Sequence, residues 1–587
     1  MTLDVTVNKR TEIRDGMKVD FHVPIPMDDG VVLRADVYRP IEEGHYPVIL
    51  SYGPYGKGLS FQEAYAPQWD KMVRDHPDVA EGSTNRYQAW EVVDPEKWVP
   101  HGYVCLRIDS RGAGWSPGFI DCQSPRESKD LYDCIEWAAV QPWSSGKVGM
   151  CGISYYAVNA WRIAGLRPPH LAAVIPWEGN ADHYRDATYH GGILSEFRIK
   201  WFPLQVKTVQ YGLGERARKS RLTGESVAGP VTMSDEELER NRIDMAAELR
   251  AHPLADDWHR VRSADPSKIG LPFLSAANWG GQGLHLRGNL EGFTQSPSKH
   301  KWLEVHGDTH WNLFYTDYSR NLQRRFFDHF LKGLDNGWDR EPRVLLNIRH
   351  PGERFVPRHE DEWPLARTRW TKYYLNPADL TLDAQPPTHE GAAEYEALGD
   401  DLTFWLPTIE HEMEITGPIA AKLYVSSSTR DADLFLIIRV FDPNGDEVVF
   451  QGALDPNTPI AQGWLRASHR KLDPQKSLPH RPYHTHDEVQ PLTPGEVYEL
   501  EVEIWPTCIV VPPGYRVGLT IRGKDYEYRG KLDEFAQSFH YASRGCGPFV
   551  HNDPQDRPPE LFGGKVKLHA GGRRESYLLL PIIPPKG

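Results

Sequence analysis

The chain has 587 residues, more than a single hydrophobic core accommodates, so roughly two to four structural units are expected. It has no run of about 18 apolar residues, which excludes a membrane-spanning helix. Its net charge of −14, with acids and bases mixed along the chain, argues against a nucleic-acid partner. The first residues, MTLDVTVNKRTEIRDGMKVDF, carry no apolar signal core. Cys105, Cys122, Cys134, Cys151, Cys508 and Cys546 are scattered and form no C-x-x-C. Free thiols in a reducing, cytoplasmic setting are the expectation.

In chain order, residues 17–60 read as strands and turns, with Asp28-Asp29-Gly30 as a hairpin signal between alternating apolar runs. YVCLRIDSRGAGWSPG is an apolar strand that ends in a glycine-rich turn. SKDLYDCIEWAAVQPW has helical spacing, with Leu131, Cys134, Ile135 and Ala138 on one face. After GKVGMCGIS comes a helix with Ala157, Ala160 and Ala164 as a small-residue face. LAAVIPWEG, LPFLSAANWGG and KWLEVHGDTHW suit buried parallel strands. LQRRFFDHFLKG is a helix with Leu322, Phe326, Phe327 and Phe330 on one side and Gly333 as its stop. Alternating strands and helices indicate an α/β unit. It is interrupted at 183–266 by a charged segment without strand signals, where Ser234 and Glu237 form a capping-box pattern. Beyond about 345 the helices vanish and short strands alternate with Pro, Gly and Asn turns, which indicates a β-sandwich of jelly-roll type. The expected organisation is an α/β core at 1–182 and 267–345, a helical cap insertion at 183–266, and an all-β domain at 346–587.

The chemistry centres on GKVGMCGISYYA, residues 146–157. A strand meeting Gly152-Ile153-Ser154 resembles the G-x-S-x-G elbow that lifts a nucleophilic serine out of a sheet, except that Tyr156 stands where the second glycine belongs. Taken alone, this leaves Ser154 open between a nucleophile and a serine in a turn. A nucleophilic serine needs a base, an orienter for that base and donors for the oxyanion. No H-E-x-x-H and no phosphate-binding glycine loop occurs, and Gly307-Asp308 between His306 and His310 argues against a helical metal pair. No metal or cofactor is expected.

GISYYA resembles the elbow of the X-Pro dipeptidyl-peptidase and cocaine esterase family, whose pattern is closer to G-x-S-Y-x-small, with Tyr155 and Ala157 in the matching places. DSRGAGWSPG, QRRFFDHFLKG, TGPIAAKLYVSSSTRDADLFLIIRVFDPNG and QGWLRASHRKLD resemble further family segments in the same order, so the likeness spans almost the whole chain. The resemblance implies a serine hydrolase with an α/β-hydrolase domain, a helical cap and a jelly-roll-like domain. It puts Tyr55, in YGPYGK, in the place of the family's oxyanion tyrosine, with the Tyr155 backbone N–H as second donor. It puts His310 on the catalytic histidine, with His306 as the alternative. The family's acid position falls on Gly281, in Asn278-Trp279-Gly280-Gly281, where no carboxylate exists.

A replacement acid is expected from the neighbouring strand. Glu178 ends AAVIPWEG, the strand after the nucleophile helix, and C-terminal ends of parallel strands share one edge. Asp182 and Asp308 are the other candidates. Trp177, Trp279, Trp311 and Tyr156 adjoin these residues and suggest an aromatic-walled substrate pocket. Three functions stay in view: a carboxylic ester hydrolase acting through acyl-Ser154 on a small ester or amide, an X-Pro dipeptidyl aminopeptidase, and a non-catalytic binding protein on the same scaffold. Neither nucleic acid nor membrane is an expected partner, and the oligomeric state is left open, a homodimer included.

Overall fold

The computed structural model describes residues 9–399, 401–531 and 544–585. Its first half carries strands β1 (Arg10–Arg14), β2 (Met17–Pro26), β3 (Val32–Arg39), β4 (Tyr46–Gly53), β5 (Val104–Asp109), β6 (Ser144–Ile153) and β7 (Leu171–Trp177). A two-stranded hairpin follows, β8 (Tyr189–His190) and β9 (Ile193–Leu194), then β10 (Phe273–Asn278), β11 (Lys301–His306), β12 (Val344–His350) and β13 (Arg354–Glu360). All but the hairpin form one sheet in the order β1-β2-β3-β5-β4-β6-β7-β10-β11-β12-β13. From β5 to β12 every neighbouring pair is parallel. Every residue of β5 and β10 is buried, as apolar runs covered on both faces require.

The covering helices follow from local chemistry. Pro125–Ala139 starts at Ser124, whose hydroxyl accepts the Glu127 N–H, and buries Leu131, Cys134, Ile135 and Ala138. Asp317–Lys332 buries Phe326 and Phe327 and stops at Gly333, which takes φ 72°. Against β6 this helix packs so closely that a Cβ at Gly149 would sit 2.8 Å from Phe327 and Leu331 carbons. Emptying the Phe327 site should cost about 3–5 kcal/mol.

Two expectations need correction. The first sheet runs on to Glu360, fifteen residues past the boundary at 345, because β12 adds parallel to β11 and β13 returns antiparallel on its edge. An edge strand of an α/β sheet and a strand of a β domain share one composition, so helix loss alone misplaces the border. The segment between β7 and β10 is not free of strands, since β8 and β9 pair within it. Otherwise it holds short helices, among them Phe197–Trp201, Asp235–Arg240 and Met245–Ala251, and the Ser234–Glu237 capping box is formed in both directions.

From Arg369 to Ile583 the described residues form a second, twelve-stranded and mostly antiparallel sheet. Its last strand, Tyr577–Ile583, pairs with both Arg369–Asn376 and Met413–Ser427, which closes the sheet on itself around its own apolar core. The two units share packing. Val48 and Leu50 of β4 lie in a cluster that also holds Phe435, Ile437, Trp464 and Trp505 of the second unit. No helix among the described residues is long and apolar enough to cross a membrane.

Candidate active site

The C-terminal ends of β4, β6, β7, β10 and β11 open onto one edge of the sheet, and the candidate residues sit there. Ile153 pairs with Trp177, and Ala276 pairs with Trp177 from the other side, so Ser154 and Glu178 leave adjacent strands at the same level. Ser154 has φ 57° and ψ −114°, a strained backbone for a residue with a side chain. The turn is held by its N–H, which donates to the carbonyls of Trp177 (3.2 Å) and Glu178 (3.0 Å). Gly152 is required because a Cβ there would lie 2.6 Å from Tyr156 Cβ and 3.0 Å from the Glu91 carbonyl. The second small residue is Ala157, whose Cβ already sits 2.5 Å from where a Cβ on Gly179 would fall. Tyr156 fits because Gly53 and Gly152 leave room for it, so its presence in the elbow breaks nothing.

Glu178 is fully buried and lies between two imidazoles. Its Oε2 is 2.6 Å from His310 Nδ1, and its Oε1 is 3.0 Å from His306 Nε2. Burial would raise the Glu178 carboxyl, but the charges and hydrogen bonds of His310 and His306 hold it below its ordinary value. Burial would lower His310, yet Glu178, with help from Glu91, pushes it up to about 9. His306 is turned away from Ser154, its Nδ1 2.6 Å from Glu304 Oε2, and it lies outside the pocket. The other acid candidates are engaged elsewhere. Asp182 pairs with Arg185 at 2.8 Å, and Asp308 pairs with His76 at 2.7 Å and accepts from Asn312. At Gly281 a Cβ would fall 3.1 Å from the Asn278 carbonyl, a cramped place for any side chain.

Tyr55 follows β4 and is buried, and its hydroxyl accepts the Trp201 indole N–H at 3.2 Å. The phenolic proton is thereby left to donate into the pocket. The turn is anchored by Asp109, which accepts the backbone N–H of Lys57 (2.6 Å) and of Trp115 (2.8 Å). Tyr155 is the first residue of the helix Tyr155–Leu166, so its N–H has no partner four residues back. Its own hydroxyl is occupied at 2.6 Å by Glu127.

Two residues beside Ser154 carry no sequence motif. His285 Nε2 is 3.1 Å from Ser154 Oγ, and its ring stacks on His310 with centroids 5.2 Å apart. His285 Nδ1 accepts the Asn180 N–H at 3.1 Å, so its proton is on Nε2 and it donates to the serine rather than accepting from it. Burial, then the His310 charge, pushes His285 well below the usual imidazole range. The second is Glu91, whose Oε1 is 3.5 Å from His310 Nε2. Nothing local in the sequence marks either His285 or Glu91.

Ser154, His310 and Glu91 line one pocket, walled by Trp90, Trp201 and Trp311. Leu454 and Pro548 of the second unit complete it, and the Ala453 carbonyl accepts the His310 N–H at 3.0 Å. Of the four aromatic residues expected in the pocket only Trp311 lines it. Trp177 stacks on His306 at 5.0 Å, Tyr156 packs against Gly53 and Gly152, and Trp279 donates to the Asn347 carbonyl and faces Trp363.

The description "X-Pro dipeptidyl-peptidase (S15 family)" matches residues 29–312, and "X-Pro dipeptidyl-peptidase C-terminal non-catalytic domain" matches residues 336–534. The cocaine esterase of Rhodococcus sp. is 24% identical, over 96% of this chain and 98% of its own. A crystal structure of a CocE/NonD family hydrolase from Staphylococcus aureus is 30% identical, with a TM-score of 0.83 over 99% of this chain and 98% of that one. With a strained serine at the elbow and a matching fold along its whole length, the chain belongs to the X-Pro dipeptidyl-peptidase and CocE/NonD family of serine hydrolases.

Proposed function

We propose that the protein hydrolyses a small carboxylic ester through an acyl-Ser154 intermediate, with His310 as base and Glu178 as its orienting acid. The single observation that carries this reading is the 2.6 Å contact of Glu178 with His310 Nδ1 in the pocket that holds Ser154. Glu178 keeps the Nδ1 proton in place, which leaves His310 Nε2 to take the Ser154 proton when it is neutral. The serine oxygen attacks the ester carbonyl. The oxyanion is met by the Tyr55 hydroxyl and the Tyr155 N–H. His310 then returns the proton to the departing alkoxide, and a water repeats the sequence to release the acid. His285 supports the resting hydroxyl by donation and is no base in this tautomer. In the same reading the short helices of 183–266 cap the pocket mouth and the closed β unit is jelly-roll-like, contributing Leu454 and Pro548 as a wall.

The cocaine esterase relative supports an ester over a peptide. The X-Pro dipeptidyl-peptidase family description supports the second reading, a dipeptidyl aminopeptidase with the same serine chemistry, and Glu91 is a carboxylate that could face a substrate amine there. A fluorophosphonate should label Ser154 alone, and Ser154→Ala should lose both the label and, as for other serine hydrolases, about 10⁶ in kcat while remaining folded. Intact-protein mass spectra with adduct on that variant would refute the assignment. Parallel panels of esters and Xaa-Pro anilides separate the two readings.

A further inference from the structure

His306 stands behind the proposed triad, on the far side of its acid. It ends β11 and is 1% exposed. Both of its ring nitrogens face carboxylate oxygens, Nε2 at 3.0 Å from Glu178 Oε1 and Nδ1 at 2.6 Å from Glu304 Oε2. A neutral imidazole has one N–H and one lone pair, so it would turn that lone pair onto one of these oxygens. Only the imidazolium donates to both ionised groups. The Trp177 indole stacks on the ring with centroids 5.0 Å apart, a face that suits a cation. Burial would lower His306, but the Glu304 charge and the hydrogen bonds of Glu178 and Glu304 push it up to about 10.

The two carboxylates beside this ring are fixed as well. Glu304 is buried, and its Oε1 accepts from the Asn347 amide at 2.9 Å and the Tyr318 hydroxyl at 3.3 Å. Glu178 Oε1 accepts from the Asn278 amide in addition to His306, and Asn278 is the register partner of His306 across β10 and β11. Two strand ends thereby hold Oε1 and leave Oε2 to His310. The charged groups facing His306 are Glu304 on its own strand and Glu178 after β7. Those facing His310 are Glu178 and Glu91, with the titratable ring of His285 stacked on it. Packing alone does not account for the cluster. Taking ions out of water costs about what their attraction returns, and apolar side chains would fill the space as well.

We propose that His306 is a positioning residue of the reaction: as a fixed imidazolium held by Glu304, it aims the Glu178 carboxylate at His310 and takes up part of its charge, so that Glu178 orients His310 without locking the proton onto it. This rests on the serine-hydrolase reading above. His306 touches no substrate and exchanges no proton in the reaction; it acts through Glu178.

The test compares wild type with two double variants. In Glu304→Gln/His306→Gln, neutral amides replace the ion pair and can keep the hydrogen-bond chain. Glu304→Gln/His306→Leu also removes the donor to Glu178. kcat/KM for a neutral ester is followed over about pH 6–10.5. Without the imidazolium, Glu178 bears wholly on His310 and favours its protonated form. The pH at which kcat/KM levels off should therefore rise by about one unit in both variants, a loss of about tenfold at neutral pH beyond any change in the plateau. The plateau itself should fall further with Leu than with Gln, because only the amide still aims Glu178. A levelling-off pH unmoved in both variants would overturn the proposal, since a merely structural role lowers the rate equally at every pH. Neutron diffraction from wild-type crystals near neutral pD needs no variant: deuterium on both ring nitrogens of His306 is expected, and a ring carrying only one would overturn the proposal even if neither variant folds. Fluorophosphonate labelling run alongside keeps the two readings apart. An unlabelled, inactive wild type sinks the hydrolase reading, whereas a labelled, active enzyme with an unmoved pH profile in the variants sinks only the role of His306.

Discussion

Two neighbouring strands end side by side at the site and finish differently. Strand β7 is followed directly by Glu178, a buried carboxylate between His310 and His306. Strand β10 ends in Asn278-Trp279-Gly280-Gly281, a turn with no acid, whose Asn278 side-chain amide donates to Glu178 Oε1 at 3.2 Å. The Gly280 end is pressed against the second unit, since a Cβ there would lie 2.3 Å from Gly452 Cα. The difference teaches that which carboxylate meets an imidazole is specified by the space around the ring, not by a place in the chain. Of the two strand ends, the one beside Ser154 contacts His310, while the other packs against the second unit and donates to Glu178.

The strongest way to break this comparison is to remove the charge from β7. Glu178→Gln should lower kcat by about 10⁴, as loss of the acid does in a well-studied triad. His310→Ala should be similar and the double variant little worse, because the pair acts as a unit. Asp182→Asn should be mild. A fully active Glu178→Gln enzyme in steady-state assays would leave no function for the displaced acid. Thermal melts should accompany these assays, since Glu178 also neutralises His306.

Next in size is the oxyanion side, contributed by β4 and independent of either strand end. Tyr55→Phe keeps the ring packing on Trp201 and removes one donor, so kcat should fall by roughly 10²–10³. Near wild-type turnover, with acylation shown to be rate-limiting, would return Tyr55 to a packing role.

A pH profile sharpens which imidazole the β7 acid serves. His310 sits at about 9, because Glu178 and Glu91 outweigh its burial, so its neutral form grows as pH rises toward that value. For a neutral ester, kcat/KM should therefore climb about tenfold per pH unit from pH 7 and level off near 9. His285 is pushed well below 6.5, and a base there would give a flat profile over the same range.

The smallest expected effect is the converse substitution. Gly281→Asp in the Glu178→Gln background should recover less than about tenfold of the lost rate, because the Cβ at 281 meets the Asn278 carbonyl and the Leu286 backbone. A larger recovery in the same assay would show that the β10 end still reaches the imidazole.

Much of this was legible because it is local. The elbow at Ser154, the stop at Gly333, the Ser234–Glu237 cap and the buried parallel strands are each set by sterics or hydrogen bonds within a few residues, which a sequence displays directly. Glu178 was reachable by one further step, from the rule that parallel strand ends share an edge. Residues brought in from elsewhere were not legible. Glu91 comes from a loop 63 residues before Ser154 and His285 from a turn 131 residues after it, and neither carries a motif. The tryptophans beside catalytic residues misled for the opposite reason. Trp177 precedes Glu178 and Trp279 follows Asn278, yet Trp177 stacks on His306 and Trp279 faces Trp363, outside the pocket.

By itself, then, the sequence determined the α/β order of the first unit, the nucleophile turn and the family to which the chain belongs. Only the tertiary structure decided which carboxylates surround His310, which aromatic residues wall the pocket, and that the first sheet runs to Glu360. The division has one physical cause. Backbone turns, caps and buried strands are stabilised by contacts close in the chain, whereas a pocket is made by side chains that meet only after distant segments pack, and no short stretch records those meetings.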